Sequence, residues 1–502
     1  VTRRTSLTSL LVLALFVPGA LSVRAAPPAA ADPASYVAVD SGSAETVHVE
    51  APAASNVEIE VRRQSGATPQ VTAVTDGLGR ALVPFVRDAR RDRVRLFAIP
   101  VAVEGGLDVS IAGQDGGAGV YKVRARVVPV PDRPAGGDDH AVRRVVAQLD
   151  EGADASAAAL ANGWTLVDAE GDLAVFETPA GHEGLEEDDA GEAEGHDGVV
   201  VAAPDVYATL PEGSQANAPI VGSDLGRTDV DRQLAMTQVH SDAAHLVATG
   251  TGVTVAVLDG GIDATHEYLA GHVLPGYDFV DRDTDPSEVP ATPGYGHGTF
   301  VSSLVLDAAP GAMILPVRVL GTDGRGLSSD ISLGIEWAAN HGANVMNLSF
   351  GTMGGNPTIA AAIRYALARG VTVVASTGND GSTSVIDFPA AMYGVVAVTA
   401  LNKSGMRASF ANASRATSLA APGTGIVGAF PDGRYATWSG TSFSAAIVSG
   451  GAALLLERTP GSPPVRVATM IERRTHPFRT IVPIAERLVL GAGVVDLARI
   501  VR

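Results

Sequence analysis

The sequence contains no cysteine, which rules out disulfide bonds and thiolate-held metals. It is also poor in positive charge: 36 Lys and Arg stand against 55 Asp and Glu, for a net charge of −19 at pH 7. Such an acidic balance argues against nucleic acid as a partner. Long apolar runs are missing too. The nearest to one, Leu10 to Val17, is about half of what a bilayer span requires. Arg3 and Arg4 precede it, Pro18-Gly19 and Ala-rich cleavage candidates near Ala26 and Ala31 follow it, and the whole reads as a signal peptide over residues 1–31. An exported, extracellular protein without a membrane span is expected, and a monomer.

What the chain does have is length and apolar content. At 502 residues and 46% hydrophobic it exceeds one ordinary domain. Over residues 32–139, segments such as ETVHVE, NVEIEVRRQ and YKVRARVVPV alternate and are β-branched, predicting a β-rich, sandwich-like unit of unknown role. PVPDRPAGGDD then reads as a linker. Residues 140–212 change pattern: strand VRRVVAQL, helix ADASAAALANG, strands TLVDAE and LAVFETP, and a last strand VVVAAPDVYATL. Before that last strand lies HEGLEEDDAGEAEGH, where the β-α-β-β-(α)-β order calls for a second helix; its carboxylates, flanked by His182 and His196, either bind a cation or sense pH or form a solvated acidic loop, the last being the better reading.

From residue 222 to 502 strands and helices alternate, the pattern of an α/β fold with a largely parallel sheet. Strands are expected at VTVAVLD, MILPVRVL, ANVMNLSF, VTVVAST and VVAVTAL. Helices are expected at SDISLGIEWAANHG, capped by Asp330 and stopped by Gly342, and at TIAAAIRYALARG, stopped by Gly370. Nothing after GAGVVDLARIV suggests an extension or anchor.

Three runs in this region carry chemistry. VTVAVLDGGID ends a strand on Asp259, and functional side chains collect at the carboxyl ends of such strands. GHGTFVSSLV sets His297 between two glycines ahead of an apolar helix. GTSFSAAIVSGGAALL opens a helix at Ser442, among the unpaired N–H groups of a helix start. A carboxylate, an imidazole and a hydroxyl of this kind compose a nucleophile, its base and the base's orienting group. Their order, Asp, His, Ser, distinguishes one class of serine hydrolase from the others. His240, His245, His266, His272 and His341 have no such company and read as packing or surface residues. TGTGVTVAVLDGG lacks the GxGxxG spacing of a dinucleotide loop.

On these runs the chain resembles the subtilisin-like serine proteases, the subtilases. The resemblance implies a doubly wound subtilisin-like fold and a secreted serine endopeptidase that needs no organic cofactor. It casts Ser442 as nucleophile, His297 as general base and Asp259 as its partner, with Asn379 in VTVVASTGND as the oxyanion-hole amide. Substrate would lie as an added strand between Gly324, Arg325 and Gly326 on one side and Ser349, Phe350 and Gly351 on the other. The order of elements in 140–212 resembles the ferredoxin-like prosegment of the family, which implies a precursor inhibited by its own prosegment. VIDFPA aligns with the specificity segment and brings Asp387 near the floor of the S1 pocket, with Asp380 at its rim. Asp387 there either pairs with an incoming Lys or Arg or turns to solvent, leaving a broad preference for large apolar residues. YDFVDRDTDPSE resembles a family calcium loop, with Asp278, Asp281, Asp283 and Asp285 as candidate ligands, or else forms an acidic turn. Tyr268 stands where another family calcium site has an aspartate, so that site is expected to be absent.

Three positions depart from the family pattern. Ala446 replaces the usual proline four residues after the serine, Ile447 a common histidine, and Gly260 the Ser or Thr that follows the aspartate. Slower catalysis is the expected limit of their effect. The alternative is a non-catalytic binding protein on the same scaffold, with the β-rich N-terminal unit as its adhesive part.

Overall fold

The computed structural model describes the chain from residue 21 onward, except for residues 25–33, 40–42, 51–54, 68, 77–80, 83–87, 91–92, 102–106, 114–116, 129–139, 151, 183–184, 196–197, 212–218, 291–293, 353, 393 and 481. Most of the expected signal peptide, the Pro/Gly linker and His196 lie outside the described residues.

The chain divides into two compact units, one of residues 1–96 with 103–127, the other of 97–102 with 128–502. The first is built on two five-stranded sheets. Alternate residues are buried in four of its strands, as in Val47 and Val49, Ile59 and Val61, Leu107, Val109 and Ile111, and Tyr121, Val123 and Ala125. One apolar face per strand is what two sheets packed on each other require. Leu21–Arg24, inside the expected leader, pairs in parallel with Ala44–Glu50 at a sheet edge.

At the heart of the second unit is a seven-stranded sheet. Its order is Tyr277–Asp278, Met313–Arg318, Thr254–Asp259, Val345–Leu348, Thr372–Ser376, Val396–Leu401 and Leu419–Pro422, and each neighbouring pair is parallel. Alternate residues of each strand serve different layers. Val255, Val257, Val345, Val374 and Val396 pack with helices His297–Ala308 and Thr441–Arg458. Ala256, Leu258, Met346, Leu348, Val373 and Ala375 pack on the opposite side with Ser328–Asn340 and Pro357–Ala368. This is the doubly wound α/β fold expected, with all five expected strands present. Asn356 caps the last of these helices by accepting the Ile359 N–H at 2.8 Å.

Residues 140–209 form an antiparallel sheet in the order Thr165–Glu170, Leu173–Glu177, His140–Leu149, Val199–Thr209. Helices Ala155–Ala161 and Glu186–Ala193 cover one face through Ala158, Ala159, Ala190 and Ala193. Glu186–Ala193 is the second helix that the element order calls for, and it corrects the reading of this stretch as a solvated loop. Four of its five acidic residues, Glu186 to Asp189, fill the first turn, where the helix dipole favours negative charge, while Ala190 and Ala193 face the core. The other face of the sheet, through Val146, Leu173 and Val175, packs into the layer that holds helices Ser328–Asn340 and Pro357–Ala368.

A second correction concerns the start of helix Ser328–Asn340. Asp330 sits in the first turn and does not cap it; Leu327 stands at the cap position and offers no side-chain bond. The capping carboxylate comes from Asp205 instead, which accepts the Ser329 N–H at 2.8 Å, the Ser329 hydroxyl at 2.7 Å and the Ser328 hydroxyl at 2.9 Å. A cap supplied from so far along the chain has no local signature.

Candidate active site

Asp259 ends its strand fully buried, and both carboxylate oxygens lie within hydrogen-bond reach of His297 Nδ1, at 2.9 and 2.8 Å. With Nδ1 donating to the carboxylate, the neutral imidazole carries its acceptor lone pair on Nε2, the arrangement a general base needs. The Gly260 N–H also donates to Asp259, at 2.7 Å. A backbone donor therefore serves the carboxylate where a Ser or Thr hydroxyl was expected to be missed.

His297 is the first residue of its helix, and its glycine neighbours have separate reasons. Gly296 has φ of 87°, and a Cβ there would come within 2.2 Å of the Phe430 ring. A Cβ on Gly298 would meet the Gly261 carbonyl at 2.0 Å, so the helix can approach the turn after Asp259 only without a side chain at this position. Trp438 and Phe443 hold the imidazole edge-on and tilted, with ring centroids 5.5 and 5.7 Å away.

Ser442 is the second residue of helix Thr441–Arg458 and is buried. Its hydroxyl donates to the Ser349 carbonyl at 3.4 Å. Ala446, in place of a proline, leaves the first turns of this helix with their full set of N–H donors. Asn379 Oδ1 accepts from the Thr441 N–H at 3.1 Å and the Thr441 hydroxyl at 2.9 Å. Both bonds go to the amide oxygen, which commits the NH2 end of the side chain to the opposite direction.

The two segments expected to flank substrate both pair with the end of strand Val199–Thr209. Tyr207, Ala208 and Thr209 pair antiparallel with Leu327, Gly326 and Arg325. Thr209 also exchanges bonds with Gly351, and the Leu210 N–H donates to the Gly324 carbonyl at 3.1 Å. Leu210 is buried against Gly294 and Gly324 in a pocket completed by Tyr295 and Leu320. The Arg325 guanidinium lies 4.1 Å from the Tyr207 ring centroid. Phe350 is fully buried, and Ser349 Oγ accepts from Asn347 at 2.9 Å.

Asp387 lies against both Gly351 and Gly378: a Cβ would stand 2.7 Å from Asp387 Cβ in the first case and 2.3 Å from Oδ2 in the second. Asn412 Nδ2 donates to Asp387 at 3.1 Å and to Asp380 at 3.0 Å, so one buried amide joins the two carboxylates.

The four aspartates expected to bind calcium do not converge. Asp278 and Asp281 both meet the buried Arg318 guanidinium, while Asp283 and Asp285 accept bonds from Asp285 N and Ser287 of their own turn. Among the described residues no three metal-capable side chains form a cluster. Five other histidines have partners elsewhere: His240 with Asp496, and His245, His266, His272 and His341 with backbone carbonyls. Sequence reasoning missed Arg318 and Asn412, whose partners are distant in the chain, and Glu288, which caps the helix of His297 from eight residues before Gly296.

The profile of the subtilase family matches residues 250–486. The chain is 37% identical over 271 residues to subtilisin BL of Lederbergia lenta, covering 52% of this chain and 95% of that protein. It is 34% identical over 247 residues to thermitase of Thermoactinomyces vulgaris, covering 47% and 86%. Among solved structures, fervidolysin of Fervidobacterium pennivorans, a keratinolytic enzyme related to subtilisin, has the same fold at a TM-score of 0.59 and 24% identity, over 74% of this chain and 62% of that one. No helix among the described residues is long and apolar enough to cross a membrane. With its doubly wound sheet and its likeness to subtilisins over nearly their whole length, the chain belongs to the subtilase family and is a serine-type endopeptidase.

Proposed function

We propose that the chain is the precursor of an exported endopeptidase, in which Ser442 attacks the scissile carbonyl, His297 takes its proton, and Asp259 holds the imidazole in the reactive tautomer. Asn379 donates to the oxyanion of the tetrahedral intermediate, and collapse of that intermediate leaves an acyl-enzyme that water hydrolyses. The observation that carries this reading is the double contact of His297 Nδ1 with Asp259 at 2.8 and 2.9 Å, at the opening of the cleft where Asn379 and Ser442 are joined through Thr441. Labelling of processed protein by a fluorophosphonate tests it. Absence of a covalent adduct at Ser442 would favour a binding protein on this scaffold.

Residues 140–212 are the inhibitory prosegment in this reading, with residues 1–31 as leader and 32–139 as a separate unit. Support comes from strand Val199–Thr209, whose end occupies the channel that an extended substrate needs. Autocatalytic cleavage falls between Leu210 and Asp224, a window that includes residues 212–218 outside the described set. Asp387, wedged against Gly351 and Gly378, favours Lys or Arg at P1.

A further inference from the structure

Between the aspartate and the histidine of the site lies a loop whose backbone and side chain reach both. Ile262 donates its N–H to the Pro286 carbonyl at 2.9 Å, and Ile262 and Ser287 form a parallel bridge. The turn that follows Asp259 is thereby tied to residues 286–287. The next residue, Glu288, turns its carboxylate to the start of the helix that His297 opens. One oxygen accepts the Gly296 N–H at 2.6 Å; the other accepts the Thr299 N–H at 2.8 Å and the Thr299 hydroxyl at 3.1 Å. Thr299 Oγ1 in turn accepts the Asp263 N–H at 2.8 Å, which closes a ring of bonds back to the turn after Asp259.

Gly296 has no side chain to cap this helix, and no side-chain cap bond is made from that position. Glu288 satisfies two of the orphan N–H groups of the helix start from outside it. Strand end and helix start are thus bridged by the segment Pro286–Glu288, through its backbone to Ile262 and through the Glu288 side chain to Gly296 and Thr299.

We propose that Glu288 is a positioning residue for catalysis, setting the helix that carries His297 against the turn that follows Asp259. The inference rests on the peptidase reading given above. The carboxyl itself is enclosed, and burial raises its pKa to about 8, with Asp259 adding to the rise and the Thr299 and Gly296 donors opposing it. A side chain retained in such a setting is held by the geometry it enforces. Glu288 also lines the pocket that Leu210 borders, so kcat is read apart from KM; the positioning effect passes through His297.

The test compares wild type, Glu288→Gln and Glu288→Ala as processed enzymes, well below their thermal midpoints. It reads kcat and KM on one peptide and the rate of fluorophosphonate labelling at Ser442. A misplaced base lowers kcat, and displacements of about 1 Å cost on the order of 100-fold. Glu288→Ala is expected to lose about that factor in kcat and labelling rate, with KM within about threefold. Glu288→Gln, which keeps an acceptor for Thr299 but presents an amide donor toward Gly296, is expected to lose about tenfold. If Glu288→Ala does not fold, the near-isosteric Gln variant carries the test. A kcat within twofold of wild type, or a loss confined to KM, would overturn the proposal. Wild-type protein that takes no label overturns the peptidase reading itself, and this inference with it.

Discussion

Thr209 and Gly351 exchange both of their backbone hydrogen bonds, at 3.1 and 2.9 Å, so the end of strand Val199–Thr209 is stitched to the segment that follows strand Val345–Leu348. Proline has no N–H to give. Thr209→Pro is expected to weaken retention of the cleaved fragment about tenfold, the effect of about 1.4 kcal/mol from a lost bond and its local strain. Co-elution of fragment and enzyme after processing measures this, and undiminished retention would mean that the strand pairing contributes little to the hold.

Ser442→Ala should reduce kcat on the order of a millionfold and leave the chain joined beyond Leu210. Asn379→Ala should cost about 10²- to 10³-fold, since one oxyanion donor goes while nucleophile and base stay. Thr441→Val removes the hydroxyl that fixes the Asn379 amide. Its expected cost is smaller, about tenfold, as orientation loosens but the donor remains. Single-turnover kinetics separate the three, and full activity in Asn379→Ala would remove it from the oxyanion hole.

Retention of the prosegment should weaken as pH rises. Burial raises Asp330 to about 7 despite Arg282, and raises Glu336 to about 8 despite the Asp172 N–H that it accepts; Asp205 is raised by burial as well. Carboxyls whose pKa is raised in the packed state favour packing fully below their ordinary values near 4, and that contribution is lost as pH climbs through 7 to 8. Gel filtration of the processed complex at pH 5 and pH 9 checks the sign. Tighter association at pH 9 would contradict it.

Asp387 offers a specificity test. Lys and Arg at P1 should be cleaved in preference to large apolar residues, and Asp387→Asn should reduce kcat/KM for basic P1 by at least about thirtyfold, the low end of losses when a charge enclosed by substrate loses its partner. Asp380 shares Asn412 with it, so Asp380→Asn is expected to have a smaller effect in the same direction. A basic preference that survives Asp387→Asn has another source.

Arg318 holds Asp278 inside the protein, and both are almost completely buried. Arg318→Leu leaves that carboxylate without its charge partner and should destabilise the enzyme by about 3–5 kcal/mol. Urea unfolding measures the loss. A calcium-dependent rise in the midpoint of either protein would mean that loop carbonyls complete a cation site that the four aspartate side chains do not form by themselves.

The site was readable in the sequence where its residues sit at element boundaries. Asp259 ends an apolar strand, Gly296 and Gly298 bracket His297, and Ser442 opens a helix; each is a local signal, and their order joins them. The five central strands announce themselves by β-branched runs. Tyr277–Asp278 is too short to do so, and Leu419–Pro422, with the sequence LAAP, has no β-branched residue. Helix Glu186–Ala193 was hidden by its charges, since an acidic run reads as solvated until the alanines beneath it find a sheet. Asp205 and Arg318 act on partners many residues away, and no local pattern encodes a pairing that only the finished fold brings together; Glu288 lies nearer its partners but in an irregular loop, outside the positions where a cap is sought.

The sheet that residues 140–209 share with Arg325–Leu327 bears on how quickly this molecule can form. A seven-stranded parallel sheet has no tight hairpins; every pairing in its middle closes a long loop before any contact rewards it, and such topologies fold slowly. The antiparallel sheet of 140–209 contains a tight hairpin, Thr165–Glu170 with Leu173–Glu177, and presents Asp205, Val146 and Val175 to helices Ser328–Asn340 and Pro357–Ala368. If it forms first, it offers a surface on which those helices can nucleate. The Ser442→Ala precursor should refold much faster than the same protein lacking residues 140–212, and equal rates would show that the nucleus lies elsewhere.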